Sequence, residues 1–484
     1  MAIPKRYALL LLLLFCSLAV STAQRKERWE EEEEEEGERR YGGGQERMFM
    51  LEKPMQVVKG EGGEFTVFRG FKRRETATPM HIGFITMEPS TLFIPQYMDA
   101  DLIFFVRRGE MRIGWIYKDD FVEKHLKIGD VYRIPAGSAF YIVNIGRGQR
   151  LQLICSIDTT HKKGIFQSFY IGGGSKPPSV IAGFGTRTLT TAFNVTEEVL
   201  TEILEGPKAG AFVPVTRPDL LRGWVELMNR KHNEMRDEEI NGSWDDEEDK
   251  EEVLSVREEE KEEEEQSSAL WSWRKLLNTV LGEDKKKKKK KSSPSSAVKA
   301  PDAFNIYERD PDFRNNYGWS VAVSHRDYSP LRRSDVGVYL VNLTAGSMMA
   351  PHFNPTATEY GVVLRGTGTI QVVFPNGTSA MDAEVREGEV FWIPRYYPFC
   401  QIASRSGPME FFGFSTSSRP NSPQFLAGRS SILNSMGRDE MATALDIDAK
   451  RYDRFRGSQR EEIILPELLM PPEETTTGFI AERV

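Results

Sequence analysis

The sequence predicts an all-β chain built as two related barrels, each followed by a helical arm, and three observations carry that reading. Short apolar runs rich in β-branched and aromatic residues, such as FTVFRGF, HIGFITM, DLIFFVRRG and MRIGWIY, recur between turns at the close spacing of a barrel or sandwich. Helical periodicity is missing until about residue 194. The second half then repeats the first: LQLICSIDTT at 151–160 parallels MEFFGFSTSS at 409–418, and KPPSVIAGFGTRTLTTAF at 176–193 parallels RPNSPQFLAGRSSILNSM at 419–436. A duplicated unit accounts for this better than two unrelated domains.

At 484 residues the chain has room for two domains with proper cores. Residues 1–23 read as a secretory signal: Lys5 and Arg6 precede an apolar run from Ala8 to Val20, and Ser21-Thr22-Ala23 supplies small residues for cleavage. The run is shorter than the ~20 residues a membrane span needs, and no other stretch is long and apolar enough to be one. Residues 24–47 form an acidic leader, with Glu30 to Glu36 unbroken and three glycines after it, whose composition predicts disorder. The first barrel and arm are expected over 48–235, a charged disordered linker over 236–300, the second barrel and arm over 301–470, and a tail over 471–484.

The formal net charge is −8, but the charge stands in blocks that a sum conceals. Asp245 to Glu265 holds fourteen acids against three basic residues, and Lys285 to Lys291 is seven lysines. Such blocks repel themselves and stay solvated, so the linker is expected to be cut by proteases. A nucleic-acid reading of the lysines conflicts with the secretory signal, so no nucleic-acid partner is expected. Between the blocks, Leu270 to Leu281 with Trp271 and Trp273 could form a short amphipathic helix packed on a neighbour.

Each repeat ends its barrel in a proline-containing turn and then enters a helix. In the first, Asn194 or Thr196 is expected to cap TEEVLTEILEG, with Val199, Leu200, Ile203 and Leu204 on one face. In the second, Asp439 precedes Glu440, Met441, Ala444 and Leu445 in the same manner.

Cleavage of the signal removes Cys16 and leaves Cys155 and Cys400, too few for a disulfide framework. Each lies in an apolar strand and reads as a buried free thiol. Secretory entry gives meaning to the sequons at Asn194, Asn241, Asn342 and Asn376, whereas Asn354 is followed by proline and does not qualify. Asn376 is best placed, since Pro375-Asn376-Gly377 between apolar strands is turn chemistry.

Two motifs organise the second half. Gly346, His352, Asn354, Glu359 and Gly366 stand at the spacing G-x5-H-x-N-x4-E-x6-G, and Gly388 and Pro394 open a second motif with Phe399 five residues beyond the proline. These resemble the paired motifs of the cupin barrels, which hold a metal with three histidines and a glutamate; Asn354 and Phe399 stand at two of the histidine positions. His352 and Glu359 keep ligand spacing, and Cys400 follows the missing position. Side-chain alternation turns Cys400 away from Phe399, so no metal or other cofactor is expected. In the first half Gly129, Pro135, Gly137 and Asn144 fit the second motif, with Phe140 at the histidine position. Pro95-Gln96-Tyr97 stands where Pro351-His352-Phe353 stands later, which leaves no imidazole there.

A signal peptide, an acidic leader, two cupin-like barrels with helical arms and a charged insert resemble the vicilins, the 7S globulins of plant seeds. The resemblance covers roughly 48–235 and 300–470. It implies a homotrimeric seed storage protein joined through its helical arms, not an enzyme, delivered by vacuolar sorting machinery to the protein storage vacuole and hydrolysed by proteases at germination. The tail EETTTGFIAERV is a sorting signal only by that analogy. Two other readings are a metal-binding cupin using His352 and Glu359, and a sucrose-binding-like module using Trp392, Tyr396 and Tyr397. Aromatic residues at a barrel mouth read first as packing.

Overall fold

The computed structural model describes residues 47–70, 80–117, 120–158, 166–173, 177–204, 210–215, 300–420 and 422–466. The expected signal peptide, most of the leader, the linker, the possible helix at 270–281, Asn241 and the tail lie outside the described residues. Two β-barrels, each made of two facing sheets, share one compact unit, to which the described residues within 1–214 and 301–484 belong. In the first barrel, Asp130–Ile134, Asp101–Arg108, Leu151–Asp158, His81–Met87 and Gly63–Phe68 lie side by side and face a sheet built on Thr91–Met98, Phe140–Asn144, Met111–Tyr117 and Asp120–Leu126. The second barrel repeats this with Val390–Ile393, Glu359–Arg365, Met409–Ser415, Gly337–Leu343 and Gly318–Val323 facing Ser379–Arg386, Thr367–Val373 and Phe399–Ala403. The predicted fold class therefore holds.

The barrels share register but not residues. One interior row of the first runs Tyr132, Phe104, Cys155, Gly83, read across paired strands. The same row of the second runs Phe391, Gly361, Gly413, Tyr339. An aromatic ring has moved from the second place to the fourth, and the Tyr339 ring now covers Gly413 where any Cβ would collide with it. Close packing constrains the summed volume of such a row more than the identity of each member.

One sheet of each barrel is buried on both faces, which explains why LIFFV and FFGF read as continuous apolar runs. Its outer face meets the other barrel: Ile82, Ile103, Phe105 and Ile154 join Val338, Leu340, Tyr360, Val362 and Phe412 in one core. The Phe105 and Phe412 rings stack with centroids 3.9 Å apart. At the rim of this contact, the buried Arg133 bonds Asp101 at 2.9 Å and Ser334 at 2.5 Å, and Ser334 donates back to Asp101.

The barrels also exchange edges. Met50–Leu51, which leads into the first barrel, pairs with Val390 and Phe391 of the second. Phe304–Asn305, which leads into the second, pairs with Asp130 and Val131 of the first. Each leading strand covers an edge that would otherwise expose unpaired backbone.

Helices follow each barrel; Thr196, one of the two expected caps, directly precedes the first-arm helix Glu197–Leu204, while Asn194 and Asp439 do not start helices. Thr186–Phe193 is already helical, and Asn194 closes it in the left-handed region at φ 52°, with its N–H on the Thr190 carbonyl. Asparagine tolerates that conformation, so here it stops one helix instead of starting the next. Glu197–Leu204 then follows Thr196, burying Leu200 while Val199 and Ile203 stay exposed. In the second repeat Gly437, not Asp439, is the N-cap of Arg438–Ala444. A further helix, Ala449–Gly457, is capped by Asp448, whose carboxylate accepts from the Arg451 N–H at 2.9 Å. Its charged sequence, AKRYDRFRG, carries no apolar stripe to announce it.

Two outcomes test the shared core. Replacing the fully buried Phe412 by alanine is expected to cost about 3–5 kcal/mol and to lower a single unfolding transition common to both barrels. Cutting the chain between residues 215 and 300 is expected to leave the two pieces co-eluting in size exclusion until denaturant is added; separate elution under native conditions would contradict the exchange of edges.

Candidate functional site

The motif residues of the second barrel come together, and each is already engaged. His352 lies on the short strand His352–Phe353, in register with Phe399 and Phe425. Its ring sits 4.1 Å from that of Phe399 and 5.2 Å from that of Phe425. Nδ1–H donates to the Ala350 carbonyl at 2.7 Å, and burial pushes the imidazole pKa down to about 4 against the smaller opposing effect of that carbonyl. The ring is therefore neutral and wedged between two phenyl groups.

Asn354 is spent on the protein. Its Nδ2 donates to Glu359 Oε1 at 2.7 Å, while its Oδ1 accepts from the Thr356 N–H, the Thr356 hydroxyl and the Ala357 N–H at 2.8–3.1 Å. Glu359 is buried in register between Ile393 and Ser415. Burial first, and the Glu359 carboxylate second, push the Tyr339 hydroxyl well above its ordinary pKa. Cys400 faces the other side of the sheet, with Sγ 3.6 Å from Gln371 Oε1, and burial raises its thiol pKa to about 11.

A cupin metal does not fit this set. Phe399 has no donor atom, the Asn354 oxygen already accepts three hydrogen bonds, and Cys400 points away. Among the described residues no group of three or more His, Cys, Asp or Glu side chains is placed to hold an ion. A catalytic site of this kind needs about three protein ligands and an open position.

The first barrel shows the same positions with other side chains. Gln96 is in register with Phe140 as His352 is with Phe399. The Gly137 N–H donates to the Met98 carbonyl as the Tyr396 N–H does to that of Asn354, so Met98 stands in the Asn354 position. Leu102, paired with Ile134 and Ile157, replaces Glu359. The acid and its amide have become leucine and methionine, while Gln96 is fully buried with neither amide atom bonded among the described residues. Asn144 serves structure: its Nδ2 donates to the Met87, Glu88 and Gln149 carbonyls and its Oδ1 accepts from the Gly146 N–H.

The motif glycines Gly129, Gly137, Gly346, Gly366 and Gly388 all have positive φ, between 75° and 91°. Their counterpart in the second motif of the second barrel is a tyrosine: Tyr396, at φ 75°, occupies the place of Gly137. For a bulky side chain this backbone costs about 1–2 kcal/mol. Motif spacing could have exposed this departure, but sequence reasoning treated Tyr396 as part of an aromatic mouth. That group divides: Trp392 and Tyr397 pack on Phe49 at 5.3 and 5.8 Å, while Tyr396 is exposed beneath the Arg395 guanidinium at 4.8 Å.

The sequons fall in unlike places. Asn194 is exposed at a helix end, Asn342 is half-buried near the end of Gly337–Leu343, and Asn376 is exposed in the turn between Thr367–Val373 and Ser379–Arg386.

Facing sheets of this topology, with the motif positions in matching slots, define a protein of two cupin barrels. Both repeats match the cupin family model, over residues 49–198 and 304–453. A vicilin-like seed storage protein of Arabidopsis thaliana is 48% identical over 432 residues, covering 86% of this chain and 80% of its own length. A vicilin of Pistacia vera is 24% identical over 423 residues, covering 84% and 66%. The crystal structure of hazelnut (Corylus avellana) vicilin aligns with a TM-score of 0.66 at 23% identity, covering 86% of this chain and 99% of that one. The vicilin of Capsicum annuum gives 0.68 at 18% identity, covering 86% and 99%. The chain belongs to the vicilin-like members of the cupin family.

Two measurements probe this geometry. Burial holds both His352 and His81 near a pKa of about 4, below the ordinary 6.5. The unfolded chain therefore binds more protons between those values, and stability is expected to fall as pH drops from about 6.5 toward about 4. Denaturant titrations of a His81→Gln, His352→Gln variant should show a flatter pH dependence over that window. At Tyr396, the glycine substitution should be about 1 kcal/mol more stable than the alanine one, the reverse of the usual order.

Proposed function

We propose that this chain is a seed storage protein, a non-catalytic reserve of amino acids of the vicilin type. The observation that carries the reading is the closed hydrogen-bond circuit in the motif-bearing barrel. Asn354 and Glu359 bond each other, His352 donates to its own backbone neighbour, and phenyl groups occupy the space around the imidazole. Barrels in which, among the described residues, no cluster of side chains is placed to hold a metal ion suit a protein whose value lies in its mass. The similarity to named seed storage proteins supports the same conclusion.

The secretory signal at 1–23 supports delivery through the endomembrane system to the storage vacuole, where proteases release the amino acids at germination. Self-association as a homotrimer through the helical segments is part of this reading. Phe184, Phe193, Val199, Ile203, Met436, Leu445 and Phe455 are each at least 41% exposed, which is costly for large apolar side chains left in water. The absence of any helix long and apolar enough to cross a membrane among the described residues is compatible with a dense soluble deposit.

Immunoblots across seed development are expected to show accumulation during maturation and loss after germination; constant low abundance in leaf would overturn the storage reading. Light scattering of the purified protein should give three chains per particle. Ile203→Glu combined with Leu445→Glu should shift it to single chains without loss of β-sheet circular dichroism.

A further inference from the structure

We infer that the acidic run Glu30 to Glu36 of the leader docks on the exposed basic face of the helix Ala449–Gly457 in the same chain, an ionic strap from the amino terminus to the second arm. Neither the storage role nor the trimer is needed for it.

The helix is anchored from one side. Tyr452 is fully buried, and its hydroxyl donates to the Leu433 carbonyl at 2.6 Å. Lys450, Arg451 and Arg454 share an arc of about 100° on the side turned away from Tyr452, and all three are exposed. No carboxylate pairs with any of them among the described residues. Asp453, the one acid of the helix, is already taken: Oδ2 accepts from Arg438 Nε at 2.8 Å, and Oδ1 lies 2.9 Å from Arg456 Nη2. Asp448, just before the helix, is spent on the Arg451 N–H as the N-cap.

This charge pattern works against the helix. Lys450 and Arg451 stand in its first turn, where the backbone dipole already presents positive charge. Arg454 follows Lys450 by four residues and Arg451 by three, the spacings at which like charges repel across one face. An anionic occupant relieves both.

Charge and tethering identify the occupant. Glu30 to Glu36 is an unbroken acidic run. Although the leader precedes the first barrel in sequence, it enters the fold on the second: Arg47 pairs with Glu389 at 2.6 Å, the Phe49 carbonyl accepts from the Trp392 N–H at 2.9 Å, and Met50–Leu51 pairs with Val390 and Phe391. The second barrel is the one whose arm carries the basic helix. The stretch from Glu36 to Arg47 reaches about 36 Å when extended, so the run is held at high effective concentration around that barrel. The leader of a second copy lacks this tether. Exposed ion pairs are individually weak and screened by salt, so the strap closes at low ionic strength and opens as salt rises.

The purified full chain is treated at low salt with a carbodiimide, which joins Lys450 Nζ to a nearby carboxylate as an amide. The band of single-chain mass is cut from a denaturing gel, digested with trypsin and read by mass spectrometry. A cross-link between Lys450 and the peptide 29–39, lost in about 1 M salt where the Debye length is ~3 Å, is the expected result. Arg451→Glu combined with Arg454→Glu keeps Lys450 and should lower the yield about fivefold. A second variant, with glutamine throughout 30–36, leaves every described residue unchanged; it should speed amide exchange across 449–457 by a similar factor and leave Leu151–Asp158 as it was. A cross-link found only in bands of two-chain mass assigns the face to a second copy and overturns the inference. So does Lys450 joined only to other acids, or unaltered exchange at 449–457 in a protein that sediments with phosphatidylserine vesicles through the same cations. None of these readouts depends on the fate of the protein in seeds, so a failure here leaves the storage reading standing.

Discussion

The constraint on which the structure depends is that one sheet of each barrel must be covered on both faces. A sheet buried only inside its own barrel would expose Phe105, Ile103 and Ile154 on one side and Phe412, Val362 and Leu340 on the other. Each barrel is the other's solvent shield. Stacking of Phe105 on Phe412 sits at the centre of that contact, and the Asp101, Arg133 and Ser334 group closes part of its rim with satisfied polar atoms. Exchange of the leading strands follows from the same geometry. With the sheets face to face, the free edge of one lies within reach of the chain entering the other, and two-residue strands suffice to pair it.

With the barrels fixed in this way, the interior of each can change as long as volume and hydrogen bonding are conserved. The second barrel is filled at the positions where cupin barrels carry ligand imidazoles. Phe399 fills its position against His352, and Asn354 turns a potential donor into a brace for Glu359. In the first barrel the replacement went further, to Leu102 and Met98, and the one polar survivor, Gln96, has no bond among the described residues. At these positions the second barrel holds a hydrogen-bonded polar cluster and the first holds mainly apolar side chains. A reserve protein tolerates this freely, because nothing in its task depends on a reactive atom.

Much of the architecture was legible in the sequence because β-strands announce themselves by alternation and turns by glycine, proline and asparagine. The motif glycines were informative for a physical reason: each occupies backbone that disfavours other residues, so their spacing records the turns directly. Tyr396 shows the limit of that logic, since the same backbone is held there by a tyrosine at a cost that spacing alone does not reveal. Thr196 directly precedes its helix as one of the two expected caps, but the other helix-start expectations failed where local signals compete. Asn194 serves as readily to end a helix as to begin one, and Ala449–Gly457 is too charged to show a stripe although Tyr452 anchors it.

By itself the sequence determined that the chain is a duplicated β-protein with a ligand set too incomplete for a conventional metal centre, because those conclusions need only residue types at fixed spacings. Only the tertiary structure decided what the surviving residues do. That Asn354 spends both ends of its amide, that Glu359 faces Tyr339, and that the first strand of each repeat completes the other barrel are contacts between segments far apart in the chain or set by backbone geometry. Spacing fixes which side chains can share a face, but the partner each one finds depends on what the folded chain brings opposite it.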